Sequence, residues 1–187
     1  MNNYSYTYKD IRSEINQAIS TLESYQNIPL DTFRLKLNKK TWNCAEVCKH
    51  LIQFNQIYIR QMQQIISGMP DPVTGPEPFQ PGWLYRQFIT LLEPPYRLKI
   101  KTIAPMYPSK NDTTPSNVVE TLIETELQLL KLANHAEKGN WDLAKISGKN
   151  PLLTFAPMNL VEFLAVLLAH QRRHFWQIKQ ILDKLGY

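Results

Sequence analysis

The chain has 187 residues, of which 43% are apolar and 20% are charged, a size and composition typical of one globular domain. No apolar run is long enough to span a membrane, and the polar start MNNYSYTYKD lacks the apolar core of a signal peptide. We therefore expect a cytoplasmic protein with no membrane partner. Two cysteines, Cys44 and Cys48, cannot provide a disulfide framework and are predicted to be free thiols.

The net charge of +5 raises the question of a nucleic-acid partner. The positive residues are mostly scattered along the chain. The densest run, FRLKLNKKTW, lacks the aromatic and glycine pattern of an RNA-binding module. We therefore expect no nucleic acid among the partners.

Two helices are predicted in the first third of the chain. Apolar residues spaced by three and four predict a helix over residues 8–27. The segment DTFRLKLNKKTW lacks this period and is predicted to be an extended or irregular link. A second helix is predicted to begin at NCAE, where Asn43 and Glu46 can form a capping box, and to run to about residue 66.

Loops and breakers separate the remaining helices. A loop rich in proline and glycine, residues 68–82, stops the second helix, and WLYRQFITLLE is predicted to be a short extra helix. The segment YRLKIKTI alternates weakly and is predicted to be a short strand or an extended linker. The third long helix is predicted over residues 116–137. The fourth is predicted to begin at the capping box NLVE, residues 159–162, and to end near residue 185.

Four long amphipathic helices bury their apolar faces against one another in a four-helix bundle. We therefore predict an all-α fold, with a single four-helix-bundle domain over residues 1–187. Long irregular loops are predicted between the second and third helices and between the third and fourth. The sequence contains no βαβ alternation, internal repeat or glycine-rich phosphate loop.

Three of the four histidines fall on the apolar faces of predicted helices. At about 100° per residue, His174 lies about 40° from His170, inside the apolar stripe that includes Phe163. On the second long helix, His50 lies at the edge of the stripe that faces the bundle. The fourth histidine, His135, falls at the end of the third helix and is predicted to be a surface residue or a C-terminal cap partner.

Three neutral imidazoles suit zinc, nickel or another divalent metal, and with three protein ligands one position stays open for water or substrate. A metal ion held by three histidines lowers the pKa of a water or thiol that binds in the open position. The alternative is that His50, His170 and His174 are hydrogen-bonded core residues. The spacing alone leaves both interpretations open.

Two segments resemble the DinB-like superfamily, the DNA-damage-inducible, YfiT-like group, which is distinct from the DNA polymerase that shares the name. TWNCAEVCKHLIQF resembles the family's W-[STN]-x-x-E-x-x-x-H-L segment, which opens the second helix. NLVEFLAVLLAHQRRHFWQIKQIL resembles its last helix, in which H-x-x-x-H is followed by Q-I. The match covers the four-helix frame and so most of the chain.

The resemblance implies an up-down-down-up four-helix bundle, often homodimeric, with its metal ligands at His50, His170 and His174. Characterised relatives include thiol transferases that attach low-molecular-weight thiols to electrophiles, and a thiol-dependent isomerase. One departure is NPLLTFAPMN, where Asn150 replaces the histidine of the family's H-P-x-x-G-x-[LM]-[ST] segment. No substrate can therefore be transferred from a relative to this chain.

Three functional hypotheses follow. The first is a metal-dependent hydrolase or thiol transferase that acts on a small molecule, with a low-molecular-weight thiol as a reactant. In it, Glu46 orients His50 or acts as a base, unless Glu46 is only the cap partner of Asn43, and Gln177 is a weaker orienting candidate. The second is a non-catalytic metal-binding or metal-sensing bundle. The third is a stress-related interaction protein whose histidines only pack the core.

Overall fold

The computed structural model describes residues 4–69, 71–95, 115–153 and 155–187, and this part of the chain is mostly helical. Two two-residue strands, β1 (Ser147–Gly148) and β2 (Met158–Asn159), form the one small sheet among these residues. The all-α prediction is confirmed. The helices in the described ranges are α1 (Tyr8–Tyr25), α2 (Leu30–Arg34), α3 (Cys44–Ser67), α4 (Trp83–Leu92), α5 (Val118–Lys138) and α6 (Leu160–Leu185).

None of the helices in those ranges combines the length and the apolar character needed to cross a membrane.

Capping boxes fix the starts of three helices. In each box, the N-cap side chain accepts the backbone N–H three residues on, and the carboxylate of that residue accepts the N-cap N–H in return. The predicted boxes at Asn43 and Asn159 are confirmed, and a third, formed by Thr7 and Asp10, begins α1. By fixing where α3 and α6 begin, the boxes help to determine which side chains of these helices face the interior.

The four long helices pack in a cycle, with α1 against α5, α5 against α3, α3 against α6, and α6 against α1. The predicted short extra helix is confirmed as α4, which packs on α6. The helix α6 therefore contacts α3, α1 and α4, and this accounts for the burial of most of its residues from Leu160 to His174.

Buried apolar side chains form two clusters. Along α6, the first cluster ends at Ala169 and the second begins at Ile178. Along α3, Leu51 belongs to the second cluster and Phe54 to the first. The histidines of α3 and α6 lie at or beside these two transitions, at the boundary between the apolar clusters.

The segment between the first two long helices differs from its prediction. Residues 30–34 form the helix α2, where the sequence predicted an extended or irregular link. Phe33 is buried in the second apolar cluster, and this tertiary contact stabilises a helix too short to show a periodic pattern. The segment YRLKIKTI, predicted to be a strand or linker, lies outside the described residues.

The two long loops contain short β contacts. In the loop of residues 68–82, Phe79 exchanges two backbone hydrogen bonds with Tyr6, of 2.9 and 2.8 Å. In the loop after α5, Ser147 pairs with Asn159, the N-cap of α6. This pairing brings the chain back to the start of the helix that carries two of the histidines.

Candidate metal centre

Three histidine side chains converge in the interior. His50 comes from α3, and His170 and His174 come from successive turns of α6, with 3%, 7% and 7% of their surface exposed. The Nε2 atom of His170 lies 3.3 Å from Nε2 of His50 and 3.1 Å from Nε2 of His174. This histidine cluster is the one group within the described ranges that could hold a metal ion, with its ligand atoms within 4.8 Å of one another.

The two Nε2–Nε2 separations around His170 fit a shared divalent cation. Imidazole nitrogens about 2.0–2.1 Å from a zinc ion, in a tetrahedral arrangement, lie about 3.3–3.4 Å apart. The two measured separations, 3.3 and 3.1 Å, are close to this value. His170 Nε2 holds one proton or one lone pair, so a hydrogen bond can satisfy only one of its two close contacts well. A metal ion accepts a lone pair from all three rings at once.

Burial keeps the histidines of α6 in the neutral form that binds metal. It holds the pKa of His170 well below its usual value, with further lowering from His174, His50 and Arg173. Burial and the neighbouring His50 lower the pKa of His174 to about 3, which the hydrogen bond to Gln177 only partly opposes. Both rings are therefore neutral at neutral pH, with lone pairs available to a cation.

Gln177 orients one of the rings. Its Oε1 atom lies 2.9 Å from Nδ1 of His174. Because an amide oxygen only accepts, His174 carries its proton on Nδ1 and directs the lone pair of Nε2 into the histidine cluster. The helical wheel predicted Gln177 as the weaker orienting candidate, and the structure places it in direct contact with a histidine of the cluster.

Aromatic rings hold the other two histidines. The Phe54 ring stacks on His170, with ring centroids 3.9 Å apart and planes inclined by 26°. The Trp42 ring lies 5.1 Å from the His50 ring. The Nδ1 atom of His170 is buried and has no hydrogen-bond partner in the described part of the chain, so packing orients this ring. Sequence reasoning missed these contacts, although Trp42 and Phe54 both lie in the segment that resembles the family motif.

Both carboxylate oxygens of Glu46 have partners at the start of α3. Oε2 accepts the backbone N–H of Asn43 at 2.9 Å, and Oε1 accepts from Lys36 Nζ at 2.7 Å. The predicted cap-box interaction is therefore present. The role of Glu46 as a base or as a partner of His50 stays a prediction.

Arg173 is a buried cation beside the cluster that sequence reasoning missed, because its position on the helical wheel lies outside the apolar stripe. It is 7% exposed, and its Nη1 atom donates to the carbonyl oxygen of Leu91, at the end of α4, at 3.2 Å. Its charge is close enough to lower the pKa of both His170 and His174. Packing of α4 on α6 buries this side chain, a tertiary effect that no pattern within α6 reveals.

His135 and Asn150 lie outside the cluster. His135 is exposed near the end of α5, as predicted, with its ring 5.0 Å from that of Trp141. Asn150, the departure from the family pattern, accepts the backbone N–H groups of Leu152 and Leu153 at 2.8 and 2.9 Å. Its amide also donates to the Tyr85 hydroxyl, so it organises the loop before α6 and ties it to α4.

Comparison with known proteins identifies the family. The family model described as DinB superfamily matches residues 14–178, which include all three histidines of the cluster. No curated protein and no solved structure matches the chain. Because the family match covers most of the sequence, the chain belongs to the DinB superfamily.

Proposed function

We propose that this protein binds one divalent metal ion through His50, His170 and His174, within a four-helix bundle formed by α1, α3, α5 and α6. The observation that carries the proposal is the pair of Nε2–Nε2 separations, 3.3 and 3.1 Å, among three buried rings, of which those of His170 and His174 are neutral. Zinc and nickel are the ions we favour, since imidazole nitrogen suits both.

The proposed reaction class is metal-dependent hydrolysis or thiol transfer on a small molecule. A divalent ion held by three imidazoles supplies Lewis acidity and keeps a coordination position free. The chain's own residues divide the remaining tasks. Gln177 fixes the tautomer of His174, Phe54 holds the plane of His170, and the buried charge of Arg173 favours an anionic reactant. A low-molecular-weight thiol is the co-substrate we propose, and a homodimer is the proposed assembly.

A second candidate function is a non-catalytic metal-binding bundle. The low exposure of the three histidines, between 3% and 7%, favours it, since a substrate needs a path to the ion. This candidate predicts that metal stabilises the fold without turnover of thiols or esters. The two candidates share the metal site and differ only in whether the free coordination position can be reached.

The first experiment is the metal content of the full chain, purified without chelator or histidine tag and measured by mass spectrometry. We expect about one divalent ion per chain in the natural protein and in His135→Ala, the matched control that removes the histidine outside the cluster. His50→Ala should retain essentially none, because even mutations that only perturb ligand orientation cost roughly 10–100-fold in metal affinity. Circular dichroism would check that His50→Ala is folded.

Absence of stoichiometric metal from the natural protein, even after incubation with zinc or nickel, would overturn the proposal. Retention of metal by His50→Ala would do the same. With one ion per chain established, turnover of thiol-acceptor electrophiles and of esters by the metal-loaded protein separates the two candidates.

A further inference from the structure

A second group of buried polar side chains lies outside the histidine cluster. Asn55 from α3, Thr125 and Glu126 from α5, and Gln171 from α6 each have at most 2% of their surface exposed. We call Asn55, Glu126 and Gln171 the amide–acid cluster. Burying such groups is costly unless each polar atom finds a partner, so the hydrogen bonds of this cluster can be accounted for atom by atom.

Two oxygen acceptors of the amide–acid cluster have no hydrogen-bond donor within the described residues. Asn55 Nδ2 donates to Glu126 Oε1 at 2.7 Å, and Gln171 Nε2 donates to the same oxygen at 2.5 Å. Glu126 Oε2 and Asn55 Oδ1 are both buried and have no hydrogen-bond partner within the described residues. Reversing the Asn55 amide would only place its oxygen against Glu126 Oε1, so rotation of the amide does not solve the problem.

One hydrogen atom on Oε2 would turn this oxygen into a donor and would offer that donor to Asn55 Oδ1. A carboxylic acid presents a carbonyl oxygen beside an O–H group, and a carboxamide presents N–H beside a carbonyl oxygen. The existing Asn55 bond to Oε1 is one half of such a pair, and a hydrogen bond from Oε2–H to Asn55 Oδ1 would be the other half. An ionised carboxylate would instead leave two oxygen acceptors in an apolar interior, at the full cost of desolvation.

We propose that Glu126 is held as a neutral carboxylic acid that pairs with the carboxamide of Asn55 through two hydrogen bonds. In this role Glu126 is a positioning residue, because Asn55 and Gln171 lie on α3 and α6, the two helices that carry the histidines. Asn55 follows His50 by five residues and Gln171 directly follows His170. The acid thus joins α3, α5 and α6 beside the proposed metal site.

The charged groups on the elements packed around Glu126 do not act as its counter-ions. Asn55 from α3 and Gln171 from α6 are the side chains that bond to its carboxyl group, and both are neutral. Burial raises the pKa of Glu126 from 4.5 to about 7, opposed only by these two hydrogen bonds. Several ionisable groups of the surrounding helices pair elsewhere: Arg12 with Glu137, Glu14 and Glu93 with Arg172, Arg173 with the Leu91 carbonyl, and the three histidines with one another.

The sign of the pH effect follows from linkage. Glu126 has a higher pKa in the folded chain than in the unfolded chain, so the folded state binds more protons between about pH 4.5 and 7. Its contribution to stability is present in full below pH 4.5 and is lost as the pH rises towards 7. The raised pKa corresponds to a change of the order of 100-fold in the unfolding equilibrium constant across this window.

The test compares the full natural chain with Glu126→Gln and with Glu124→Gln, in chelator throughout so that its outcome does not depend on the proposed metal function. Glutamine keeps the carbonyl acceptor and supplies a permanent N–H for Asn55 Oδ1, which mimics the neutral acid. Unfolding by denaturant is measured from pH 4.5 to 8. Because all three chains share the histidines, differences between them isolate the mutated group.

As the pH rises from 4.5 to 8, we expect the folding equilibrium constant of the natural chain to fall about 100-fold relative to that of Glu126→Gln. Glu124, exposed two residues earlier, should give a variant that follows the natural chain. Infrared spectroscopy at pH 5.5 should detect a protonated carboxyl band that Glu126→Gln lacks. A pH-independent difference between the two chains, or absence of that band, would overturn the proposal, since either means that the fold does not hold Glu126 as the neutral acid.

Discussion

The histidine cluster and the amide–acid cluster are both buried polar groups that link α3 and α6, and they differ in what each needs. The histidine cluster brings ring nitrogens of three side chains together, with Nε2–Nε2 separations of 3.1 and 3.3 Å around His170. The amide–acid cluster directs two amide N–H groups at one carboxyl oxygen and leaves two other oxygens facing no donor. We propose that a divalent cation completes the first cluster and that a single proton completes the second.

Unsatisfied atoms, more than residue types, therefore indicate what a buried site requires. His170 Nε2 lies within hydrogen-bond distance of two other ring nitrogens, and because it can make only one good hydrogen bond, a proton satisfies only one of these contacts. For a carboxyl group beside a carboxamide one proton is enough, because their donors and acceptors are complementary once the acid is protonated. The two proposed sites thus involve the same pair of helices and differ in the cation that each would bind.

The largest effect expected within this comparison comes from removing the acid altogether. Glu126→Ala leaves the amides of Asn55 and Gln171 without an acceptor and opens a cavity, so we expect the free energy of unfolding at pH 6 to fall by about 2–4 kcal/mol. Glu124→Ala, on the exposed side of the same helix, should change it by less than about 0.5 kcal/mol. Denaturant titration followed by circular dichroism measures both. Equal effects of the two variants would mean that the amide–acid cluster contributes nothing particular to stability.

A smaller effect, on zinc affinity, is expected at the histidine cluster when a histidine ligand loses its orientation but stays in place. Gln177→Ala takes away the acceptor that fixes Nδ1–H of His174, and we expect zinc affinity to fall by roughly 10-fold or more. Competition with a chromophoric chelator measures the affinity. Gln180→Ala, one turn further along α6, serves as the matched control and should leave the affinity unchanged. An unchanged affinity in Gln177→Ala would mean that packing alone holds the ring.

The two clusters also differ in how far the sequence could predict them. His50, His170 and His174 lie on helices with strong apolar periods and well-marked caps, so the period itself places them in the core. The side chains of Asn55, Glu126 and Gln171 come from three helices, and polar residues of these types are usually exposed. Only the packing of α3, α5 and α6 brings them together.

Helix α2 and the burial of Arg173 are two further features that local sequence patterns do not predict. Helix α2 owes its stability to the burial of Phe33, and Arg173 is buried because α4 packs over α6. Both depend on contacts between segments that are distant in the chain. The capping residues Asn43 and Asn159 were predictable because a capping box involves residues only three positions apart.

The smallest expected effect concerns Glu46, which could act on either the helix end or the histidine cluster. If it is a cap partner alone, Glu46→Gln keeps the capping box, since glutamine serves as well as glutamate at this position. The variant loses only the partly exposed ion pair with Lys36, so we expect the free energy of unfolding to fall by less than about 1 kcal/mol. Zinc affinity should stay within about threefold of the natural chain, because none of the bonds that orient the histidines is changed. A 10-fold loss of zinc affinity at unchanged stability would instead mean that the Glu46 charge supports metal binding through His50. The functional site would then extend by one turn of α3 towards the N-terminus of that helix.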